Sequence, residues 1–132
     1  MPTRYQQLRE KVVRLSLGAD EQHAYLESIL AHISGNGRSV GYGNDELALE
    51  LEDIFLAAGH MREWGEISDA EIAAIKPLDD LLAKWSGKAN ADFWRREALW
   101  TDPRWEEVRT CARTALSALP DEERDTGWLA TL

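Results

Sequence analysis

The chain has 132 residues, a net charge of −9 and a single cysteine. This length is typical of one domain and allows a hydrophobic core to form without disulfides or metal. One cysteine excludes an internal disulfide, and no apolar run approaches the roughly 20 residues of a membrane span. The first residues also lack the apolar segment of a secretory signal. We therefore expect a single cytoplasmic domain over residues 1–132 with no membrane contact.

The negative charge is concentrated in the middle third of the chain. Residues 44–80 carry eleven acidic and two basic side chains, a balance of −9 that equals the net charge of the whole protein. Nucleic acid is disfavoured as a partner, because affinity for it comes largely from Lys and Arg that neutralise phosphates. An acidic surface steers association with a basic partner, although it also supplies solubility without any partner.

Apolar spacing predicts two helices in the first 33 residues. The first covers residues 2–17 and ends at Gly18. Asp20 is the expected cap of a second helix that runs to Ile33. The short link favours an antiparallel helical hairpin. The expected inner faces are Tyr5, Leu8, Val12 and Leu15 in the first helix and Tyr25, Leu26, Ile29, Leu30 and Ile33 in the second.

Residues 34–43 form a glycine-rich loop with four glycines in ten positions. Glycines let backbone N–H groups approach an anion, but the sequence does not match the phosphate-loop pattern GxxxxGK[ST] and no strand precedes it. We favour a connector in which Tyr42 serves as a contact residue.

The stretch 44–59 predicts the central helix of a helical body that spans residues 44–119. Asn44 is the candidate N-cap and Gly59 the candidate terminator. One face is apolar and consists of Leu47, Leu51, Ile54, Phe55 and Ala58. Leu49 and Leu56 lie on the opposite side. We favour a helix that the fold covers on both sides; the alternative is that these two leucines meet a partner, including a second copy of the chain.

The same helix carries an acidic stripe at positions i, i+4 and i+7, which we interpret as a solvated face. Paired carboxylates can perform acid–base chemistry when a pocket shifts their pKa values, but the neighbouring sequence supplies no apolar walls. With the polar turn that follows, the stripe forms a candidate partner-binding surface in which the tryptophan is an aromatic anchor. Its members are Glu46, Glu50, Asp53, Glu63, Trp64 and Glu66.

Three further helices are expected in residues 68–119. Ser68 and Glu71 spell a capping box at the start of the first. Pro77 predicts a kink in it, or two helices that meet near Lys76. Asn90 is the expected cap of a short helix over residues 91–100.

Thr101 is the expected cap of the last helix, which reaches Leu119 before Pro120 ends it. A tail over residues 120–132 follows. Its Trp128 and Leu129 can dock on the body.

Six tryptophans are present, and four of them fall within 21 positions: Trp85, Trp94, Trp100 and Trp105. Tryptophan buries a large area but requires a partner for its indole N–H. We favour a core assembled from these rings. The alternative is a helix-lined aromatic pocket for a small ligand.

No motif indicates a metal site, a cofactor or a nucleophile. His23, His32 and His60 belong to none of the metal-binding patterns H-E-x-x-H or E-x-x-H. Cys111 lies at the edge of an apolar helix face, where a buried cysteine behaves as a small apolar residue.

The absence of strand-like alternation predicts an all-α fold, a single-domain bundle of five or six helices. Our first hypothesis is a small acidic non-enzymatic protein, adaptor-like or immunity/inhibitor-like, that recognises a basic protein through the acidic helix face. Small bacterial immunity proteins that cap basic toxins share this size, acidity and helical pattern. This is an analogy between kinds of protein, and no sequence motif supports it. The alternatives are a small-molecule sensor or carrier with a Trp-lined pocket, and an enzyme of unfamiliar type.

Overall fold

The computed structural model describes residues 3–33 and 43–122, the side chains of residues 30–33 excepted. Within these ranges the chain forms seven α-helices, one 3-10 segment and no strand. The helices are α1 (Arg4–Ser16), α2 (Ala19–Ile33), α3 (Asn44–Phe55), α4 (Ala58–Glu63), α5 (Asp69–Lys84), α6 (Ala98–Thr101) and α7 (Pro103–Leu116), and the 3-10 segment is Lys88–Trp94. The predicted all-α fold is confirmed. The predictions made for His32, Tyr42, Trp128 and Leu129, and for the side chains of Leu30 and Ile33, lie outside the described structure.

Helices α1 and α7 form the main packing contact, and α3 and α5 pack against this pair and against each other. Helix α2 packs chiefly on α6 and meets the C-terminal end of α1. The α1–α7 contact continues past the end of α7, where Tyr5 Oη donates to the carbonyl of Pro120 at 2.6 Å. The core that these helices enclose includes Leu8, Val12, Leu15, Leu47, Leu51, Ile75, Leu78, Phe93, Trp105, Val108 and Ala112.

Helix α3 is shorter than the predicted central helix and is not covered on both sides by the described residues. It packs on α1 and α5, while Leu49 is 43% exposed and Leu56 is 77% exposed. Gly59 does not end it, because the chain turns at residues 56–57 and Gly59 lies inside α4. The left-handed glycine that follows is Gly65, with φ 76°. This division of one predicted helix into two raises the helix count above the five or six expected.

Asn44 is not the cap of α3. Gly43 occupies the cap position with φ 119°, a left-handed conformation that favours glycine. The Asn44 side chain is fully buried and donates to the carbonyl of Arg95 at 2.5 Å and to that of Phe93 at 3.5 Å. It thus anchors the start of α3 to the chain that follows the 3-10 segment.

The capping box of α5 is present as predicted. The Ser68 hydroxyl accepts from the Glu71 amide at 3.1 Å, and the Glu71 carboxylate accepts from the Ser68 amide at 2.9 Å. Of the two alternatives predicted for Pro77, two helices that meet near Lys76 do not form, because α5 continues through Pro77 as one helix. Pro77 removes the helical donor of the Ala73 carbonyl, and both residues are exposed.

The predicted cap of α2 is also wrong, because that helix begins at Ala19 and Asp20 lies in its first turn. Two predicted caps in the second half are wrong as well. Asn90 lies inside the 3-10 segment with φ −112° and ψ 25°, and a regular helix over residues 91–100 does not form. The N-cap of α7 is Asp102 rather than Thr101, and its carboxylate accepts from the Arg104 amide at 2.9 Å.

None of the helices within residues 3–33 and 43–122 combines the length and the apolarity that crossing a lipid bilayer requires.

Candidate functional site

The exposed carboxylates of α3 form what we call the acidic face: Asp45, Glu46, Glu52 and Asp53. Glu46 is half-buried and the other three are exposed. No ion pair within the described residues neutralises any of them. Burial, followed by repulsion from Asp45, Glu50 and Asp53, raises the pKa of Glu46. The acidic face therefore carries negative charge that the described part of the fold does not balance.

Glu50 does not share the solvated position predicted for it. It lies between helices, where it accepts a hydrogen bond from Tyr25 Oη and approaches Arg14 Nη1 at 3.5 Å. The Arg14 guanidinium stacks over the Tyr25 ring at 3.6 Å from its centroid. Burial and the hydrogen bond to Glu50 raise the pKa of Tyr25 to about 12. Glu50 thus joins α3 to α1 and α2 and is a structural residue.

Glu66 is likewise not part of an open surface. It is 1% exposed, and its two oxygens accept from Arg4 Nε at 2.9 Å and Nη2 at 2.8 Å. Glu63 and Trp64 remain exposed at the end of α4, with Trp64 at 45%. Of the six residues predicted for the partner-binding surface, Glu46 and Asp53 lie on the acidic face, and Glu63 and Trp64 stay candidates beyond it.

An open groove of about 710 Å³ runs beside α3, and we call it the α3–α5 groove. One wall is the exposed side of α3, and the other comes from the end of α5 and the 3-10 segment. Its lining includes Asp45, Ala48, Leu49, Glu52, Phe55, Leu56, Asp79, Leu82, Ala83, Ser86, Gly87, Lys88, Ala91 and Trp94. Three carboxylates and one lysine thus border an otherwise mostly apolar surface.

Three of the four late tryptophans form the predicted aromatic core. Phe93 stacks on Trp105 with centroids 4.5 Å apart, and Trp94 meets Phe93 edge-on at 4.6 Å. Trp105 Nε1 donates to the Phe93 carbonyl at 2.8 Å, and Trp94 Nε1 donates to the Trp85 carbonyl at 3.0 Å. These bonds satisfy two indole N–H groups inside the fold. The rings fill their own space, so they do not enclose a ligand pocket among themselves.

Trp100 is separate from this cluster. It is 49% exposed on α6, where its Nε1 donates to Asp20 at 2.8 Å and its ring contacts His23 at 5.2 Å. Of the four tryptophans proposed for a ligand pocket, Trp94 is the one that lines the α3–α5 groove.

No three His, Cys, Asp or Glu side chains come together as metal ligands would in the part of the chain that the structure describes. Burial, and then Glu107, raises the pKa of the Cys111 thiol, which leaves it protonated near neutral pH. His23 Nδ1 lies 3.0 Å from Arg96 Nη1 and must accept this bond, because arginine can only donate.

Comparison with family models, curated proteins and solved structures gives no match to this chain. The function is therefore argued from the geometry and charge of the site.

One wall of the groove was predictable from the sequence, and the other was not. Leu49 and Leu56 were visible as an apolar pair on the back of a helix. Asp79, Gly87 and Ala91 carry no such signal, because only folding brings residues about 40 positions away to the side of α3.

Proposed function

We propose that this is a non-enzymatic binding protein that recognises a basic protein partner through the acidic face of α3. Glu46 and Asp53 keep the role predicted for them, and Asp45 and Glu52 replace Glu50 and Glu66. Glu63 and Trp64 extend the surface beyond α3. Adaptor-like and immunity/inhibitor-like roles both fit this description.

One observation carries the proposal: four carboxylates share one helix without a neutralising cation among the described residues. Concentrated like charge costs folding stability through self-repulsion. Surfaces that cost stability are typical of binding sites, where a partner compensates the cost. The exposed leucines Leu49 and Leu56 lie beside these charges, and a buried apolar contact with a charged surround is the usual anatomy of a protein interface.

A second candidate is a sensor or carrier for a small ligand in the α3–α5 groove. Its volume of about 710 Å³ lies within the range of ligand sites. The groove is open along α3, however, and ligand sites normally bury most of the ligand surface. We therefore rank protein binding first.

The proposal is tested by quantitative affinity capture from the native host. The bait is the wild-type protein, a neutralised variant (Asp45→Asn, Glu46→Gln, Glu52→Gln, Asp53→Asn) or a control variant. The control (Glu21→Gln, Asp92→Asn, Glu97→Gln, Glu107→Gln) removes the same number of charges from other surfaces. We expect a basic protein that the wild type and the control retain and the neutralised variant loses, with recovery that falls as salt rises.

Equal recovery of the same proteins by all three baits would contradict the proposal. So would capture of partners that are themselves acidic.

A further inference from the structure

The exposed side of α3 carries acidic and apolar side chains in alternation. Asp45, Leu49, Glu52 and Leu56 follow the spacing i, i+4, i+7 and i+11. At 100° per residue these positions fall within about 60° of arc, so they form one stripe along the helix. The stripe extends over about 16 Å, the length of three helical turns. All four residues line the α3–α5 groove.

Half of the residues that line the opposite wall of the groove are small. Ala83, Ser86, Gly87 and Ala91 line it, and the Trp94 ring lies alongside. Gly87 has φ 102°, and nothing lies within 4 Å of the position that a Cβ would take there. Small side chains allow a second backbone to come close, as helices packed at 8–10 Å require. The groove therefore has the length and the walls to receive one helix beside α3.

The charges decide what kind of helix fits. Asp45, Glu52 and Asp79 border the groove against the single cation of Lys88. A second copy of this chain would bring the same carboxylates against each other, and their repulsion opposes that contact. The chain's own tail, residues 120–132, carries four acidic side chains and one basic one. A basic occupant complements the groove, and these two acidic occupants do not.

We infer that the α3–α5 groove binds one amphipathic α-helix of the basic partner. Apolar side chains of that helix insert beside Leu49 and Leu56, and its Lys and Arg side chains lie over Asp45, Glu52 and Asp79. This is the helix-in-groove mode of recognition, in which apolar anchors repeat at helical spacing. The inference rests on the proposed function, because the helix belongs to the same basic partner.

The test uses the full chain and a labelled peptide of about 15 residues, built from Leu and Lys so that the leucines form one helical face. A scrambled peptide of identical composition has no apolar face. The groove variant is Leu49→Ser with Leu56→Ser, and its conservative control is Leu49→Met with Leu56→Met. Fluorescence anisotropy gives each dissociation constant, and backbone amide NMR shifts locate the peptide.

We expect the wild type and the Met control to bind the amphipathic peptide with affinities within about twofold of each other. The groove variant should bind at least about tenfold more weakly, because two apolar contacts are lost. Amide shifts should cluster in residues 45–56 and 82–94. The scrambled peptide should bind at least about tenfold more weakly as well, because it cannot present its leucines on one face.

Several results would overturn the inference. They are absence of binding to the amphipathic peptide, equal binding of both peptides, undiminished binding by the groove variant, and shifts located elsewhere. A wild-type dimer that the groove variant dissociates in light scattering would assign the groove to a second copy. Peptide affinity that rises at least about tenfold in Trp128→Ala would assign it to the tail.

The charge-neutralised variant separates this inference from the proposed function. If that variant loses the peptide while the groove variant keeps it, the acidic face binds basic partners and the groove is not the docking site. If both variants bind as the wild type does, both proposals fail.

Discussion

Arg109 and Gln22 join four helices through hydrogen bonds inside the fold. Arg109 is 3% exposed and donates to Gln22 Oε1, to the Leu99 carbonyl at 2.6 Å and to Glu106 at 2.8 Å. Gln22 in turn donates to the carbonyls of Arg14 and Leu15 at the end of α1. The buried guanidinium of Arg109 is tolerated because its N–H groups donate hydrogen bonds to these acceptors.

We expect Arg109→Ala to lower the free energy of unfolding by about 3 kcal/mol, since it leaves the Gln22 oxygen and the Leu99 carbonyl unpaired in the interior. Arg113→Ala removes an exposed arginine from the same helix and should change the free energy of unfolding by less than about 0.5 kcal/mol. Urea unfolding of both variants measures the difference. Similar values for the two would show that the buried network contributes little.

Ionisation of Tyr25 is expected to lower the stability of the folded protein at alkaline pH. Its pKa is raised from 10.0 to about 12, so the folded state holds the phenol proton more tightly than the unfolded state does. This contribution is fully present below pH 10 and is lost as the pH rises through about 12. Tyr25→Phe should lack that part of the alkaline loss, and near-ultraviolet titration of the wild type should show a late ionisation that is missing from the variant. Identical alkaline unfolding of both proteins would contradict the assignment.

Helix α7 shows how one residue position decides where an element begins. Asp102 accepts from the Arg104 amide, and the Arg104 side chain lowers the pKa of its carboxyl. Thr101, one residue earlier, donates instead to the Glu97 carbonyl. Both residue types are good caps, so the backbone conformation of the preceding turn makes the choice.

Asp102→Ala should therefore lower the free energy of unfolding by about 1 kcal/mol, while Thr101→Ala should change it by less than about 0.5 kcal/mol. Because the pKa of Asp102 is lowered on folding, its contribution is present above its unfolded value of 3.8 and is lost as the pH falls through the folded value. Thermal unfolding at neutral and acidic pH checks both points. A larger loss of stability in Thr101→Ala than in Asp102→Ala would show that Thr101 is the cap.

The charge of the whole molecule is distributed in a way that favours binding of a basic partner and lowers the stability of the folded state. Residues 44–80 hold a balance of −9, and no carboxylate of the acidic face forms an ion pair within the described residues. Glu46 has a raised pKa, so the folded state binds its proton more tightly than the unfolded state does. Its contribution is favourable below its ordinary pKa of 4.5 and is lost as the pH rises through the folded value.

At pH 7 we accordingly expect Glu46→Gln to be as stable as the wild type or more stable, by up to about 0.5 kcal/mol. The wild type should gain stability with added salt, which screens the repulsion, and the variant should gain less. Glu107→Gln, on an exposed part of α7, is the matched control and should retain the full salt dependence. Clear destabilisation by Glu46→Gln would mean that its carboxylate has a favourable partner.

The sequence predicted some local features correctly, although the caps expected at Asn44, Asn90 and Thr101 did not form. The Ser68–Glu71 capping box and the inner face of α1 depend on residues within a few positions of each other, and both formed as expected. The candidate site was half predictable. The stripe with Leu49 and Leu56 is local to α3, whereas the burial of Glu66 depends on Arg4, 62 residues away.

By itself the sequence determined the all-α class, the positions of most helices and the concentration of negative charge, because apolar periodicity and side-chain charge are properties of short segments. Only the tertiary structure decided which carboxylates stay in water. Glu50 and Glu66 meet Tyr25 and Arg4 across the fold, and the acidic face meets no cation among the described residues. Tertiary structure also created the groove, since burial and enclosure depend on which segments folding brings together.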